Sequence, residues 1–300
     1  MKILMAEDDT TSRLLFGATL RKLGYSVTAV ENGKKAWEAW KQEEHSLLIS
    51  DWMMPDIDGL QLCRMIRSEP GLQYTYIMLL TSLDSKGSYL EGMDAGADDF
   101  ITKPFDEDQL AARLRVAERI LALHKKLHIQ ATHDDLTGVW NRAAIMDFLK
   151  TELERAARQN TSIGVIMADI DYFKQVNDTY GHLAGDTILQ EAVRRMHFAL
   201  RPYDRIGRYG GEEFLITAPG CTMSDVMTVA ERIRSSISAE PFNGQLERIP
   251  MTVSLGVTIS NQSGGGGGGD VGTLIAAADE ALYRAKKAGR NRVEFSNRRV

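Results

Sequence analysis

Two carboxylates stand side by side at Glu212 and Glu213, directly after the pair Gly210-Gly211 and before Phe214. Strand-like runs flank them, Asp204 to Gly207 ahead and Leu215 to Ala218 behind, so the stretch reads as a tight β-hairpin. The paired glycines supply the positive φ angles of a two-residue turn. Adjacent like charges would repel each other in a merely structural turn. A divalent cation removes that conflict, and the missing glycine side chains let a phosphate or a base approach the backbone. A third carboxylate, Asp169, follows the buried strand-like run Ser162–Ala168 and with Glu212 offers oxygen ligands for Mg²⁺ held with nucleotide phosphates. The turn from Asp171 to Lys174 presents backbone N–H groups and an ammonium where a triphosphate tail could sit. Asn177 and Asp186 carry groups suited to a guanine edge; helix capping is the alternative for both, with Gly185-Asp186 opening a helix at Thr187–Leu200. Lys286 and Arg290 lie one helical turn apart, as a phosphate-binding pair or as an ordinary solvated helix face.

A second constellation occupies the first 120 residues, at the carboxyl ends of consecutive strand-like runs. Glu7 and Asp8 end the first, Asp51 the third, Thr81 the fourth and Lys103 the fifth. Three carboxylates converging on one sheet edge favour a hard cation such as Mg²⁺ that keeps waters for a phosphate. An Asp beside that metal is a plausible nucleophile toward a phosphoryl donor, with Lys103 paired to the resulting charge and the Thr81 hydroxyl following the new oxygens. Taken singly, each of these residues could be a solvated loop end.

The elements that must hold these groups follow from periodicity. Strands at Ile3–Ala6, Tyr25–Val30, Leu47–Ser50, Tyr76–Leu80 and Asp99–Thr102 alternate with helices at Thr11–Leu23, Gly33–Glu43, Gly59–Ser68 and Lys86–Ala95 and from Glu107. That is the pattern of a doubly wound parallel α/β sheet with its chemistry at the strand ends. From Asp106 a helical pattern runs without Gly or Pro to Asp134. Leu114, Leu121 and His128 are spaced by sevens, as are Ala117, His124 and Ala131. This seam fits either a helix packed on its own sheet or, past Leu121, a stalk pairing two copies. A helix at Ala143–Arg158 opens the second domain, and the strand Met251–Ile259 precedes six glycines at Gly264–Gly269, expected to be flexible. The reading is a receiver-type domain at 1–120, a helical linker at 121–133 and an α+β domain with a mainly antiparallel sheet at 134–300.

Composition bounds the partners. At 300 residues, with 43% hydrophobic and 26% charged residues, the chain suits two soluble domains. A net charge of −5 argues against nucleic acid as a partner. No run approaches the roughly 20 apolar residues of a membrane span, acidic residues come too soon for a signal peptide, and Cys63 and Cys221 read as thiols. A cytoplasmic protein is expected.

Over 1–120 the chain resembles response-regulator receiver domains. The resemblance implies Asp51 as phosphoacceptor, Glu7 and Asp8 as the acid pair, Thr81 as switch hydroxyl, Phe100 as aromatic switch and Lys103 as the lysine that precedes a cis Pro104. It also implies a histidine kinase partner. Asp134-Asp135-Leu136-Thr137-Gly138 with Asn141-Arg142, and Gly210-Gly211-Glu212-Glu213-Phe214, are similar to the signatures of GGDEF-domain diguanylate cyclases. That resemblance implies Asp169, Glu212 and the Ile170 carbonyl as metal ligands, and Glu213 either on the metal or activating a 3′-hydroxyl. It further implies Asn177 and Asp186 as guanine readers, and Phe173, Lys174, Gly210, Gly211, Lys286 and Arg290 around GTP. Arg201-Pro202-Tyr203-Asp204, nine residues ahead of Gly210, resembles the family's product-inhibition site with Arg232 as helper; a surface ion pair is the alternative.

Together these imply a phosphorylation-regulated homodimer that condenses two GTP to cyclic di-GMP and two pyrophosphates, using Mg²⁺ in both domains with Mn²⁺ as an alternative. Two rivals are a non-catalytic module binding GTP or cyclic di-GMP, and a scaffold regulated by its receiver.

Overall fold

The computed structural model describes residues 1–69, 74–82, 86–243, 248–260 and 270–296, so the expectation for Gly264–Gly269 lies outside the described residues. The chain divides into two compact units, Met1–His128 and Ile129–Val300.

The first unit alternates β1 (Lys2–Ala6), α1 (Thr10–Lys22), β2 (Ser26–Val30), α2 (Gly33–Gln42), β3 (Leu47–Asp51), α3 (Gly59–Ser68), β4 (Tyr76–Thr81), α4 (Lys86–Asp94) and β5 (Asp99–Thr102), then enters α5 (Glu107–Thr132). Its five strands are parallel in the order β2-β1-β3-β4-β5, as the alternation of strand and helix required. Side-chain alternation builds a core on each face. Leu4, Leu48, Ile77 and Leu79 pack with Trp52 and Phe100 on one side. Ile3, Met5, Ile49, Met78 and Ile101 pack on the other against Leu110, Leu114 and Ala117 of α5. Asp9, Asn32 and Asp58 each accept a backbone N–H at a helix start, which fixes where α1, α2 and α3 begin. The strand order reverses direction beside β1 and β3, and the crevice at their carboxyl ends is where this topology places its chemistry.

Helix α5 decides between the two uses of its heptad spacing. Leu114 and Ala117 are fully buried and Leu121 is half-buried against the receiver sheet, so the start of the expected seam is spent on packing within the unit. His124 stacks flat on Tyr74, with ring centroids 4.0 Å apart. Tyr74 in turn donates to Asp98, which holds Arg67 at 2.7 Å. The stripe left uncovered is a different one. Val116, Leu123 and Leu127 are 38%, 60% and 61% exposed, and with half-buried Ile120 they repeat at spacings of four, three and four.

The second unit follows α5 with α6 (Arg142–Gln159), β6 (Ile163–Ile170), α7 (Phe173–Tyr180), α8 (His182–Phe198), β7 (Arg205–Gly210), β8 (Glu213–Pro219), α9 (Met223–Ser238), the short β9 (Phe242–Asn243) and β10 (Arg248–Ile249), β11 (Val253–Ile259), α10 (Val271–Lys287) and β12 (Val293–Phe295). The main sheet runs β12-β11-β6-β8-β7 and is antiparallel except where β12 joins β11. β6, buried along its whole length, is the central strand and carries Asp169 to the sheet's end. One face is covered by α7, α8 and α9, through Val176, Ile188, Ala192, Val229 and Ile233, and the other by α6 and α10, through Ile145, Leu149, Leu274 and Leu282.

Two helix boundaries differ from expectation. α8 begins at His182, so Asp186 lies inside the helix and is not its cap; Gly181 (φ 82°) both closes α7 and opens α8. α10 ends at Lys287, so Lys286 and Arg290 do not share a helical face. Gly289, Arg290 and Asn291 all take positive φ (111°, 62° and 46°) and turn the chain back into β12.

Candidate active site and phosphoacceptor site

The hairpin has the two-residue turn its sequence implied, centred one residue further on. Gly210 pairs with Glu213, leaving Gly211 and Glu212 as the two turn residues, and of the two glycines only Gly211 has a positive φ, 45°. The turn therefore requires glycine at 211 alone. A Cβ on Gly210 would meet only Glu213 Oε2, at 3.8 Å, so the second glycine keeps open space beside the carboxylates and not a strained backbone.

Asp169, near the end of β6, lies directly across from Glu213 in the register of β6 and β8, and the Ile170 N–H donates to the Glu212 carbonyl at 3.3 Å. Asp169 is 6% exposed. Burial pushes its carboxyl up to about 6; the bond from Lys286 opposes that rise, while Glu212 and Glu213 add to it. Lys286 Nζ donates to Asp169 Oδ2 at 2.6 Å, and so neutralises the buried charge. The oxygens of Asp169, Glu212 and Glu213 do not converge as a trio as closely as those of Glu7, Asp8 and Asp51, which all lie within 4.8 Å of one another. Asp169 and Glu212, with the exposed edge at Gly210, still form an acidic site of hard oxygen donors, the set that a magnesium ion takes.

Just past β6 the chain makes a turn that the sequence reading only partly anticipated. Asp171 is 3% exposed and accepts from Thr252 and Ser254 hydroxyls, both at 2.7 Å, and from the Asn291 N–H at 3.1 Å. Its role is to hold the turn, while Tyr172 takes a left-handed conformation (φ 58°) and starts α7. The Arg290 guanidinium lies over the Tyr172 ring at 4.5 Å. Phe173 is buried beneath the turn, and Lys174 is exposed next to it. Asn177 on α7 lies against Gly185 on α8, where a Cβ would stand 2.0 Å from Asn177 Oδ1, and Asp186 is the next residue of α8. The two groups expected to read a base thus occupy facing helices, where neither caps a helix end.

Arg201 and Asp204 close the loop between α8 and β7. Asp204 is 5% exposed, and burial raises its carboxyl although its Oδ2 accepts the Arg201 backbone N–H at 2.8 Å. Its Oδ1 is buried with no partner. The Arg201 side chain turns instead toward Asp225, at 3.7 Å, so the alternative reading of a surface ion pair between Arg201 and Asp204 is not what forms. Both line a cavity of about 1020 Å³ with Trp140, Arg194, Phe198 and Arg205. Arg232 is engaged through Nε with the Ala199 carbonyl at 2.6 Å.

In the first unit Glu7, Asp8, Asp51 and Lys103 come together. Lys103 Nζ bridges Glu7 and Asp51, each at 2.6 Å. Burial draws the Lys103 ammonium down, but its two carboxylate partners outweigh that and hold it above the usual lysine range. Burial also raises Glu7, with the Lys103 bond working against it and the Asp51 charge with it. Thr81 is buried at the end of β4, Phe100 is buried against Trp52 and Tyr89, and the Lys103-Pro104 peptide is cis as expected.

Two residues to which the sequence assigned no role tie the second site together. Arg208, two residues ahead of Gly210, donates to the Gly211 carbonyl and to Asp134. Asn141, part of the entry signature, caps α6 through its Oδ1 and binds the Ala131 carbonyl through its Nδ2. Both stand within the two signatures, but the bridge that joins those signatures needed the fold.

A family model described as the diguanylate cyclase GGDEF domain matches residues 131–292, and one described as the response regulator receiver domain matches 3–115. Response regulator PleD of Caulobacter vibrioides is 32% identical over 257 residues, which cover 82% of this chain and 56% of that protein. Diguanylate cyclase DgcP of Pseudomonas aeruginosa is 36% identical over 70% of this chain and 32% of that protein, so the chain spans about half or less of the length of these curated relatives. Among solved structures, the coiled coil and GGDEF domain of DgcB from Caulobacter crescentus, in complex with c-di-GMP, aligns with a TM-score of 0.57 at 31% identity. It covers 63% of this chain and 98% of that one. Diguanylate cyclase SiaD from Pseudomonas aeruginosa, in complex with its activator SiaC, aligns with a TM-score of 0.52 at 36% identity over 63% and 72%.

Proposed function

We infer the activity from the family: the chain belongs to the GGDEF-domain family of diguanylate cyclases and carries a response-regulator receiver domain ahead of that domain. The reading is a diguanylate cyclase that condenses two GTP into cyclic di-GMP and two pyrophosphates. The observation that carries it is the buried Asp169 paired opposite Glu213, with the next N–H, that of Ile170, donating to the Glu212 carbonyl, and open space at Gly210. Asp169, Glu212 and the Ile170 carbonyl would hold Mg²⁺, or Mn²⁺, which when bound neutralises charge on the phosphates and on the departing pyrophosphate. Lys286, now paired with Asp169, would move to the triphosphate with Lys174 and Arg290, and Asn177 and Asp186 would bind the guanine edge. Glu213 would either join the metal or activate the attacking 3′-hydroxyl.

One domain holds one GTP, so the second comes from a second copy of the chain. The exposed stripe Val116-Ile120-Leu123-Leu127 supports a pairing of two α5 helices, in place of the seam read from the sequence. Phosphoryl transfer from a histidine kinase to Asp51, with a cation on Glu7, Asp8 and Asp51, would regulate that pairing; Thr81, Lys103 and Phe100 would respond to the new charge. For product inhibition, the supporting observation is the orphaned Asp204 Oδ1 in a cavity that Arg201 also lines, an acceptor waiting for a base N–H.

Incubation of the whole chain with GTP and Mg²⁺, with chromatography of the nucleotides, tests the activity. Cyclic di-GMP is expected, and Glu212→Gln should abolish it. Bound but unconverted GTP would favour the non-catalytic module, and absence of nucleotide binding would favour the scaffold.

A further inference from the structure

Arg208 lies outside the expected site, and its contacts reach the hairpin. It stands on β7, 20% exposed at the side chain, and its guanidinium does two things at once. Nε donates to the Gly211 carbonyl at 2.9 Å, at the tip of the hairpin. Nη1 donates to both carboxylate oxygens of Asp134, at 3.2 and 3.1 Å. Asp134 is itself tied down. Its Oδ1 accepts from the Thr137 N–H at 2.9 Å and the Thr137 hydroxyl at 2.6 Å, which folds the turn that opens the domain. Burial alone would raise the Asp134 carboxyl, but the Thr137 bonds and the Arg208 charge hold it below the ordinary Asp range, so it stays ionised beside the guanidinium.

The opening turn is joined in the same way to the last turn of α5. The Asn141 N–H donates to the Thr132 carbonyl at 2.9 Å, and Asn141 Nδ2 to the Ala131 carbonyl at 2.7 Å. Both carbonyls lie in the last turn of α5, past the reach of the regular helix ladder. The Arg208 N–H then donates to the Trp140 carbonyl at 2.7 Å. Short polar contacts and one peptide link therefore connect the end of α5, through Asn141, Trp140 and Arg208, to the carbonyl next to Glu212, with Asp134 bracing the arginine.

We propose that Arg208 is a positioning residue for the cyclase reaction: braced on Asp134, it holds the Gly211-Glu212 turn where the carboxylate can serve, and it makes that placement depend on the end of α5. The inference rests on the cyclase reading above. Arginine suits the role because its planar fork donates in two directions at fixed geometry, which a lysine ammonium on a flexible stem does not. A turn built on glycine has no side chain of its own to stiffen it, so an external brace has an effect there.

The test uses the full chain with Asp134→Asn, Arg208→Lys and the double variant. Asp134→Asn keeps an oxygen for Thr137, so the turn and the fold are retained while the charge that anchors Arg208 is lost; circular dichroism checks this. Steady-state kinetics with GTP and Mg²⁺ should show kcat falling by about 10- to 100-fold with KM little changed, the mark of a misplaced group as distinct from lost binding. The double variant should lose no more than the worse single one. Hydrogen exchange at the Gly211 to Phe214 amides should be faster in each variant. Unchanged kcat and unchanged exchange in a folded Asp134→Asn protein, or losses that add, would overturn the proposal. An inactive wild-type chain would sink the cyclase reading instead, and the exchange measurement would still decide whether Arg208 braces the turn.

Discussion

Replacing Gly185 by alanine tests the base-reading pair without touching either member. The added Cβ would stand 2.0 Å from Asn177 Oδ1 and 3.1 Å from Phe173 Cζ, where contacts under 3.0 Å are not tolerated and 3.4 Å is ordinary. Asn177 must therefore retreat by about 1.0 to 1.4 Å, or α7 and α8 must part by as much. Overpacking of this size costs about 1–3 kcal/mol. If Asn177 turns away to relieve it, the protein keeps its stability and loses up to two hydrogen bonds to guanine, each worth about 0.5–1.5 kcal/mol. That corresponds to a rise in KM for GTP of about 5- to 150-fold. Pyrophosphate release against GTP concentration, with a thermal melt of the same sample, separates the two responses. The sum of the two losses, converted to energy, should fall near the overpacking range. Asn177→Ala alone should give a similar KM, and adding it to Gly185→Ala should change little further. A folded Gly185→Ala protein with wild-type KM and wild-type melting temperature would refute both the packing argument and the assignment of Asn177.

Four further outcomes are expected. Glu191 accepts from Arg194 and Arg195 at 2.6 and 2.8 Å, and the Arg194 bond, ahead of a smaller opposing effect of burial, holds its carboxyl at about 2. Its folded pKa lies below the unfolded value, so its stabilisation is complete above about pH 4.5 and is lost as pH falls toward 2. After discounting for solvent screening this amounts to about 1 kcal/mol, and Glu191→Gln should remove it from the acid limb of a pH–stability curve. Leu127→Cys should cross-link two copies of the chain on mild oxidation, and Leu123→Lys should lower the dimer fraction by sedimentation; an unchanged dimer fraction would exclude the exposed stripe as the seam. Arg201→Ala should raise the product concentration needed for half-inhibition by about tenfold, the loss of a bidentate contact worth about 1–3 kcal/mol; identical inhibition would leave the cavity without a regulatory role. With Asp51→Asn, a small-molecule phosphoryl donor should no longer change the cyclase rate, and a persistent response would remove Asp51 as the acceptor.

What could be read in the sequence was the chemistry whose signal is local. Glu7, Asp51, Thr81 and Lys103 follow strand ends within a residue or two, and buried runs such as β4 and β6 announce those ends. The GGEE turn was recognisable for the same reason, yet which glycine needed a positive φ was settled by the register of β7 against β8. The start of α8 was misread because Gly185-Asp186 imitates a capping pair, whereas Gly181 ends one helix and begins the next without any side-chain cap. Gly185 is there for another reason, to let Asn177 lie against the helix. Two heptad seams coexist on α5, and only the packing of Leu114 and Ala117 under the receiver sheet shows which one remains for a partner. The Arg208–Asp134 bridge joins residues 74 apart in the chain, so no periodicity or spacing could have pointed to it.

Asn141 serves two helices at once, since its amide nitrogen finishes α5 and its oxygen begins α6. A helix that arrives at such a joint delivers an angle as well as a position, because each residue added upstream rotates everything before it by about 100°. Insertions into α5 should therefore behave as a phase variable. Adding or removing seven residues restores nearly the same azimuth and should be tolerated, whereas two or three turn the exposed leucines to another side and should uncouple input from output. A domain that begins at such a joint would then respond to helical phase, whatever kind of module supplies the helix.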